Sequence, residues 1–154
     1  MKAAVRVGAV ISVLMLTAFL IAYGATEKTE IRVRLINAVS GKPFAGRDQQ
    51  LFGTNTRSGL PGKDILFHLQ TKTGADGVAR FFISPPLPYR LLPTSAQTGG
   101  CAWHGAPEII TEELLKSGYV GPNECAHKNQ PFHWQDIKAE PGEIILFVVE
   151  PRGP

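Results

Sequence analysis

Residues Asp64–Ile83, reading DILFHLQTKTGADGVARFFI, constrain the fold more than any other stretch of the chain. Ile65, Phe67, Leu69 and Thr71 alternate with Leu66, His68, Gln70 and Lys72, the period of a strand with one buried face. After Thr73-Gly74-Ala75-Asp76-Gly77, a second run sets Ala79, Phe81 and Ile83 against Val78, Arg80 and Phe82. Asp76-Gly77 between two such runs predicts a hairpin, because glycine takes positive φ without a Cβ clash. Burying four or five of these apolar side chains is worth on the order of 10 kcal/mol before conformational entropy is subtracted. A two-stranded hairpin cannot keep that face from water, so the remaining chain must cover it.

Further alternating runs supply the cover. Glu30–Asn37 places Ile31, Val33 and Leu35 on one face and Arg32 and Arg34 on the other, as in a sheet with one wet side. Gln49–Phe52 is a short strand after the turn Ser40-Gly41-Lys42-Pro43, and Tyr89–Leu92 is another, expected to end at Pro93. Glu143–Glu150 (EIILFVVE) is apolar on both faces and is expected to be buried from both sides. Ile110–Gly118 carries the one helical signal. Thr111 is the expected cap, Glu112 and Glu113 lie near the positive end, Lys116 near the negative end, and Gly118 stops it, with Ile110 and Leu115 at staple spacing. Pro131–Pro141 reads as an irregular cover, with Phe132, His133 and Trp134 packing down. Twelve prolines and sixteen glycines between short strands argue for an all-β domain, an antiparallel β-sandwich with one short helix.

Residues 1–25 read as an address. Lys2 and Arg6 precede Val7–Tyr23, which is almost wholly apolar, and Ala22-Tyr23-Gly24 offers a small-x-small cleavage site. The same run approaches the roughly 20 residues that cross a bilayer, so a retained anchor over residues 7–25 is the alternative to a cleaved signal peptide. Either reading places residues 26–154, one domain, outside the cytoplasm, periplasmic or secreted. Removing Lys2 and Arg6 from the 16 basic residues leaves 14 against 13 acidic, or +1. With these charges interspersed, nothing in them supports nucleic-acid binding.

The strand Ile31–Leu35, then Gly41-Lys42-Pro43 and Gly46, then Thr73 to Phe81 with its "T-x-x-DG-x-A-x-F" spacing, resembles the carboxypeptidase regulatory-like domain over residues 30–92. The resemblance implies a transthyretin-like sandwich of immunoglobulin type, and a non-catalytic folding, adhesion or interaction role. No active-site residue is carried over with it. The "GCAW…TEELLKSGYVGPNEC…PGEIILFVV" stretch is also similar to envelope proteins of environmental bacteria that hold this sandwich with a cysteine-closed insert.

Cys101 and Cys125 are the only cysteines, and an even count in an exported domain favours a disulfide. The competing reading is a metal site, Cys101-x-x-His104 with Cys125-x-His127, although the second spacing is tight for zinc. A blue-copper centre wants a weak axial ligand such as methionine, and both methionines lie in the leader. His68 falls on the polar face of its strand, a solvated position. Gly62-Lys63 fails as a phosphate loop, because Arg57 replaces the first glycine and Asp64 the Ser/Thr. No G-x-S-x-G elbow supports a hydrolase, and Glu112 and Glu113 do not face each other. Two enzymes with related sandwiches fit poorly. Hydroxyisourate hydrolases end in a Tyr-Arg-Gly-Ser-type tail, whereas this chain ends Glu-Pro-Arg-Gly-Pro. Intradiol dioxygenases bind iron through two tyrosines and a His-x-His pair, of which Tyr89 and Tyr119 are present but the pair is not.

The expectation is therefore a non-catalytic exported module that binds a protein or glycan through loops 53–63 and 102–135, without cofactor or metal, and meets a membrane only through its leader. The alternative is a small metal-dependent or hydrolytic enzyme using His104, His127 or His133.

Overall fold

The computed structural model describes residues 27–57, 64–95, 99–101, 107–125 and 132–150. The leader, Gly62-Lys63, His104 and His127 lie outside the described residues. In chain order the elements are β1 (Thr29–Asn37), β2 (Asp48–Thr54), β3 (Ile65–Lys72), β4 (Val78–Ile83), β5 (Arg90–Ser95), β6 (Gly99–Gly100) and β7 (Ile109–Ile110). Helix α1 (Thr111–Ser117), β8 (Tyr119–Val120), a 3-10 turn (Trp134–Asp136) and β9 (Glu143–Val149) complete them.

Two sheets form. One runs β4-β1-β9-β6, with β8 also on β9, and the other runs β3-β2-β5-β7. Ile31, Val33, Leu35, Phe81, Ile83 and Ile144 of the first sheet meet Leu51, Leu91 and Ile109 of the second in one buried cluster. The domain is thus mostly β, two sheets face to face with a single short helix. The sheets are not purely antiparallel. β9 runs parallel to β1 over Arg32↔Glu143 to Asn37↔Val148, and β8 is parallel to β9 as well.

The expected hairpin at Asp76-Gly77 does not form. β3 pairs with β2 and β4 pairs with β1, so the turn arches from one sheet to the other. Its hydrogen bonds show why. Thr73, almost wholly buried, donates its hydroxyl to Phe44 O (2.8 Å) and accepts from the Arg47 N–H (2.9 Å). Its own N–H donates to Arg47 O, and its carbonyl accepts from the Gly46 N–H. Gly77, at φ +73°, accepts from the Leu35 N–H of β1, and a Cβ there would sit 2.8 Å from Leu35 O. The turn spends its backbone groups on its neighbours, which leaves the two strands free to part.

Pro93 does not end β5 but lies inside it, opposite Leu51 of β2. β7 pairs only with Arg90 and Leu91, so beyond Leu91 no described strand on that edge asks Pro93 for a donor. Tyr89, expected in the strand, precedes it. Ile65 was expected to share the buried face of Phe67 and Leu69. A register shift at Gly53/Thr54 turns it outward instead. Phe67 lies over Gly53, where any Cβ would fall 2.4 Å from its ring.

Helix α1 closes the end of the sandwich at which β1 begins. Leu114 is fully buried in the inter-sheet cluster, with Leu115 packed beside it. Thr111 does not cap this helix: Ile110 holds the cap position, no side chain bonds there, and Thr111 is the first helical residue. Gly118 stops it as expected. At φ +71° its N–H donates to Leu114 O, and a Cβ would lie 2.4 Å from Glu140 O.

β9 is buried on both faces, as its composition requires. Its Ile144 and Val148 look into the sandwich, while Ile145 and Phe147 join Ile36, Ala38 and Cys101 in a second cluster on the outer face of the same sheet. Val120, Cys125, Phe132, Trp134 and Ile137 cover that cluster, giving the domain a third layer.

Candidate interaction surface

The third layer is held by a few discrete contacts. Cys101 and Cys125 form the disulfide, with Cα atoms 5.2 Å apart. The Cys101 N–H donates to Phe147 O of β9, and the Glu124 N–H donates to Cys101 O (2.8 Å). Asn123, buried, donates its side-chain N–H to Ala38 O at 2.9 Å. Phe132 lies against Gly41, where a Cβ would meet its ring at 2.5 Å, and Trp134 sets its edge toward Phe147 at 5.8 Å. The two sulfurs are consumed by the bridge, which removes both thiolates from any Cys/His ligand set. Among the described residues no three of His, Cys, Asp and Glu gather in a group that could hold a metal ion.

His133 was expected to pack within this layer, and it is exposed. Its carbonyl accepts from the Asp136 N–H, so the backbone there makes the turn while the ring faces solvent. His68 is exposed, as its strand position requires. Its ring stacks on Phe52 of the neighbouring strand at 4.2 Å, within 7° of parallel. His68 and His133 therefore sit on different sheets' surfaces, and the structure does not bring them together.

The polar half of the first sheet's outer face is engaged in ion pairs. Arg32 meets Glu140 (2.9 Å), Arg34 meets the buried Glu143 (2.6 Å), and Arg80 meets Asp76 (2.8 Å) and Glu30 (3.7 Å). The Arg80 guanidinium, with the Val78 N–H behind it, holds the Asp76 carboxyl below the ordinary aspartate range. Burial pushes the Tyr119 phenol up.

A different arrangement stands at the end of the second sheet, at the base of loop 53–63. Two guanidiniums lie over the Tyr89 ring, Arg57 at 5.2 Å and Arg90 at 5.7 Å from its centre. Arg90 also donates to Glu108 and to Arg57 O. The Tyr89 N–H donates to Asn55 Oδ1 (3.0 Å), its carbonyl accepts from the Thr111 N–H, and Thr56 donates to Asp64 (3.1 Å). β2, β5, β7 and the start of α1 thus fix one exposed aromatic ring and two arginines at a loop junction. Sequence reasoning singled out the loop and weighed Tyr89 only as an iron ligand, while Arg90 was passed over. The only signal for them was their place at a strand start facing that loop.

The fold and this surface define a disulfide-stapled β-sandwich with one armoured sheet face and one Tyr/Arg-bearing end. No family model, curated protein or solved structure matches the chain.

Proposed function

We propose that the protein is a non-catalytic, exported module of carboxypeptidase regulatory-like type, with a transthyretin- or immunoglobulin-like sandwich, that binds a protein or glycan of the cell envelope. The observation that carries this reading is the Arg57, Tyr89 and Arg90 cluster at the start of loop 53–63. Tyrosine and arginine are the side chains that concentrate binding energy at interfaces, offering large rigid area and charge together. Here they are held by backbone hydrogen bonds before any partner arrives, which lowers the entropy cost of binding. The 102–135 segment supplies a second contact region, presented on a bridged and packed base. The disulfide agrees with an oxidising compartment and with the leader-like residues 1–25.

Affinity capture of the tagged full chain from native envelopes tests the proposal. A specific partner retained by the wild type and lost by Arg57→Ala combined with Tyr89→Ala is the expected result. Two free thiols and stoichiometric zinc or copper in chain taken from the oxidising compartment would overturn it in favour of a metal-dependent enzyme. Equal capture by the wild type and the double variant would remove the Tyr/Arg end from the interface.

A further inference from the structure

We infer that the corner of the sandwich formed by the start of β3 and the end of β4 rests against the bilayer surface. The inference goes beyond partner binding and rests on the leader being retained. Among the described residues five large apolar side chains are exposed, and Ile65 (46%), Leu66 (54%) and Phe82 (57%) stand at one end of the domain, the end that also carries Tyr89. The pairings fix that placement. Thr54 pairs with both Ile65 and Arg90, Thr29 pairs with Ile83, and the Thr73–Gly77 turn joins β3 to β4 at the opposite end. Ile65, Leu66 and Phe82 belong to the two edge strands, where a protein free in water carries charge or proline rather than large apolar groups.

The chain enters β1 at this same end. Val7–Tyr23 is the apolar run, and only Gly24 to Lys28 separate it from Thr29. Six peptide steps reach at most about 20 Å when fully extended. A retained leader therefore holds this end, and not the Val39 end, beside the lipid. Phe82 is an aromatic residue of the kind that settles at the membrane–water boundary. A second copy pairing along the β3 or β4 edge would cover the same side chains, and the test separates the two.

The test is photocrosslinking in cells that produce the full chain. p-Benzoylphenylalanine replaces Leu66, Phe82 or, as the opposite-end reference, Val39, which is 46% exposed. Phospholipid adducts at positions 66 and 82, at least five-fold above those at 39, are the expected result. Chain-to-chain adducts at 66 or 82, or equal lipid adducts at all three positions, would overturn the proposal. Hydroxyl-radical labelling of the unsubstituted chain in its membranes gives an independent reading. Protection of Leu66 and Phe82 relative to Val39 supports the contact, and equal labelling refutes it. Lipid contact is read at positions 66 and 82 and partner capture at Arg57 and Tyr89, so the two proposals are tested on different residues and fail separately.

Discussion

The two buried layers on either side of β1 and β9 are built by different means. The inner layer, between the sheets, is made by alternation: Ile31, Val33 and Leu35, and Ile144, Leu146 and Val148, arrive every second residue and need no individual fastening. The outer layer covers the same two strands with side chains from scattered described positions, Val120 of β8, Cys125, Phe132, Trp134 and Ile137, which follow no single periodic run. It is held by one disulfide, one buried asparagine bond, and aromatic rings placed over Gly41 and Phe147. Burial by periodicity is distributed and cooperative, whereas burial by staples is concentrated in a few residues. The difference predicts that damage to the first layer is global and damage to the second is local.

Ile144→Ala should have the largest effect. Ile144 is fully buried in the inter-sheet cluster, and truncating such a side chain costs about 2–5 kcal/mol through lost transfer energy and the cavity left behind. The urea midpoint followed by far-UV circular dichroism should fall with all strands together. A loss below about 1 kcal/mol would mean that this layer is not the thermodynamic core.

Paired replacement Cys101→Ser with Cys125→Ser should cost up to about 3.5 kcal/mol in the chain-entropy treatment, which here closes a loop of sequence separation 24. Its signature should nevertheless be local. Proteolysis should begin between residues 101 and 125, while amides of Ile31–Leu35 and of their β4 partners keep their protection from exchange. Simultaneous loss of protection in both layers would erase the distinction drawn between them.

What was legible in the sequence follows the same division. The alternating runs announced β1, β3, β4 and β9, and the apolarity of both β9 faces announced that something must cover its outer side. The cover itself left a thinner trace. Two cysteines and the aromatic residues near Trp134 indicated that it exists, but not that Asn123 reaches Ala38 or that Phe132 needs Gly41 bare. The hairpin reading of Asp76-Gly77 failed for a related reason. A glycine at positive φ specifies a reversal of the chain, and it does not specify whether the second strand returns to the same sheet. That choice was made by Thr73 and Gly77 bonding to residues 26 or more positions away, which local pattern does not report. The candidate surface was half legible: loop 53–63 stood out by composition, whereas Tyr89 became a candidate for binding a partner only once pairing put it beside Arg57.

Thr73→Val sharpens this point. The substitution keeps shape while removing the hydroxyl, leaving the Phe44 carbonyl and the Arg47 N–H without their side-chain partner in a buried site. A cost of about 1–3 kcal/mol is expected. Refolding of β4 against β1 should be retained, since the Leu35–Gly77 bond is untouched. A neutral result would mean that the arch is set by the strands it joins and not by its own bonds.

The smallest effect belongs to the same turn, at its surface. Asp76 accepts from the Arg80 side chain (2.8 Å) and from the Val78 N–H (3.0 Å), and these bonds hold its folded-state pKa below the unfolded value. A depressed carboxylate contributes stability that is present above its unfolded pKa and is lost as pH falls through the folded one. Asp76→Asn should therefore lower the urea midpoint slightly at pH 7, and the two proteins should converge in the acid range below the ordinary aspartate pKa. The pair is exposed, so added salt should shrink the difference at neutral pH. A gap that persists at acid pH would assign the role of Asp76 to turn geometry, through the Val78 N–H, instead of to its charge. In that case the surface of the arch, like its buried Thr73, would act by directing the backbone between sheets.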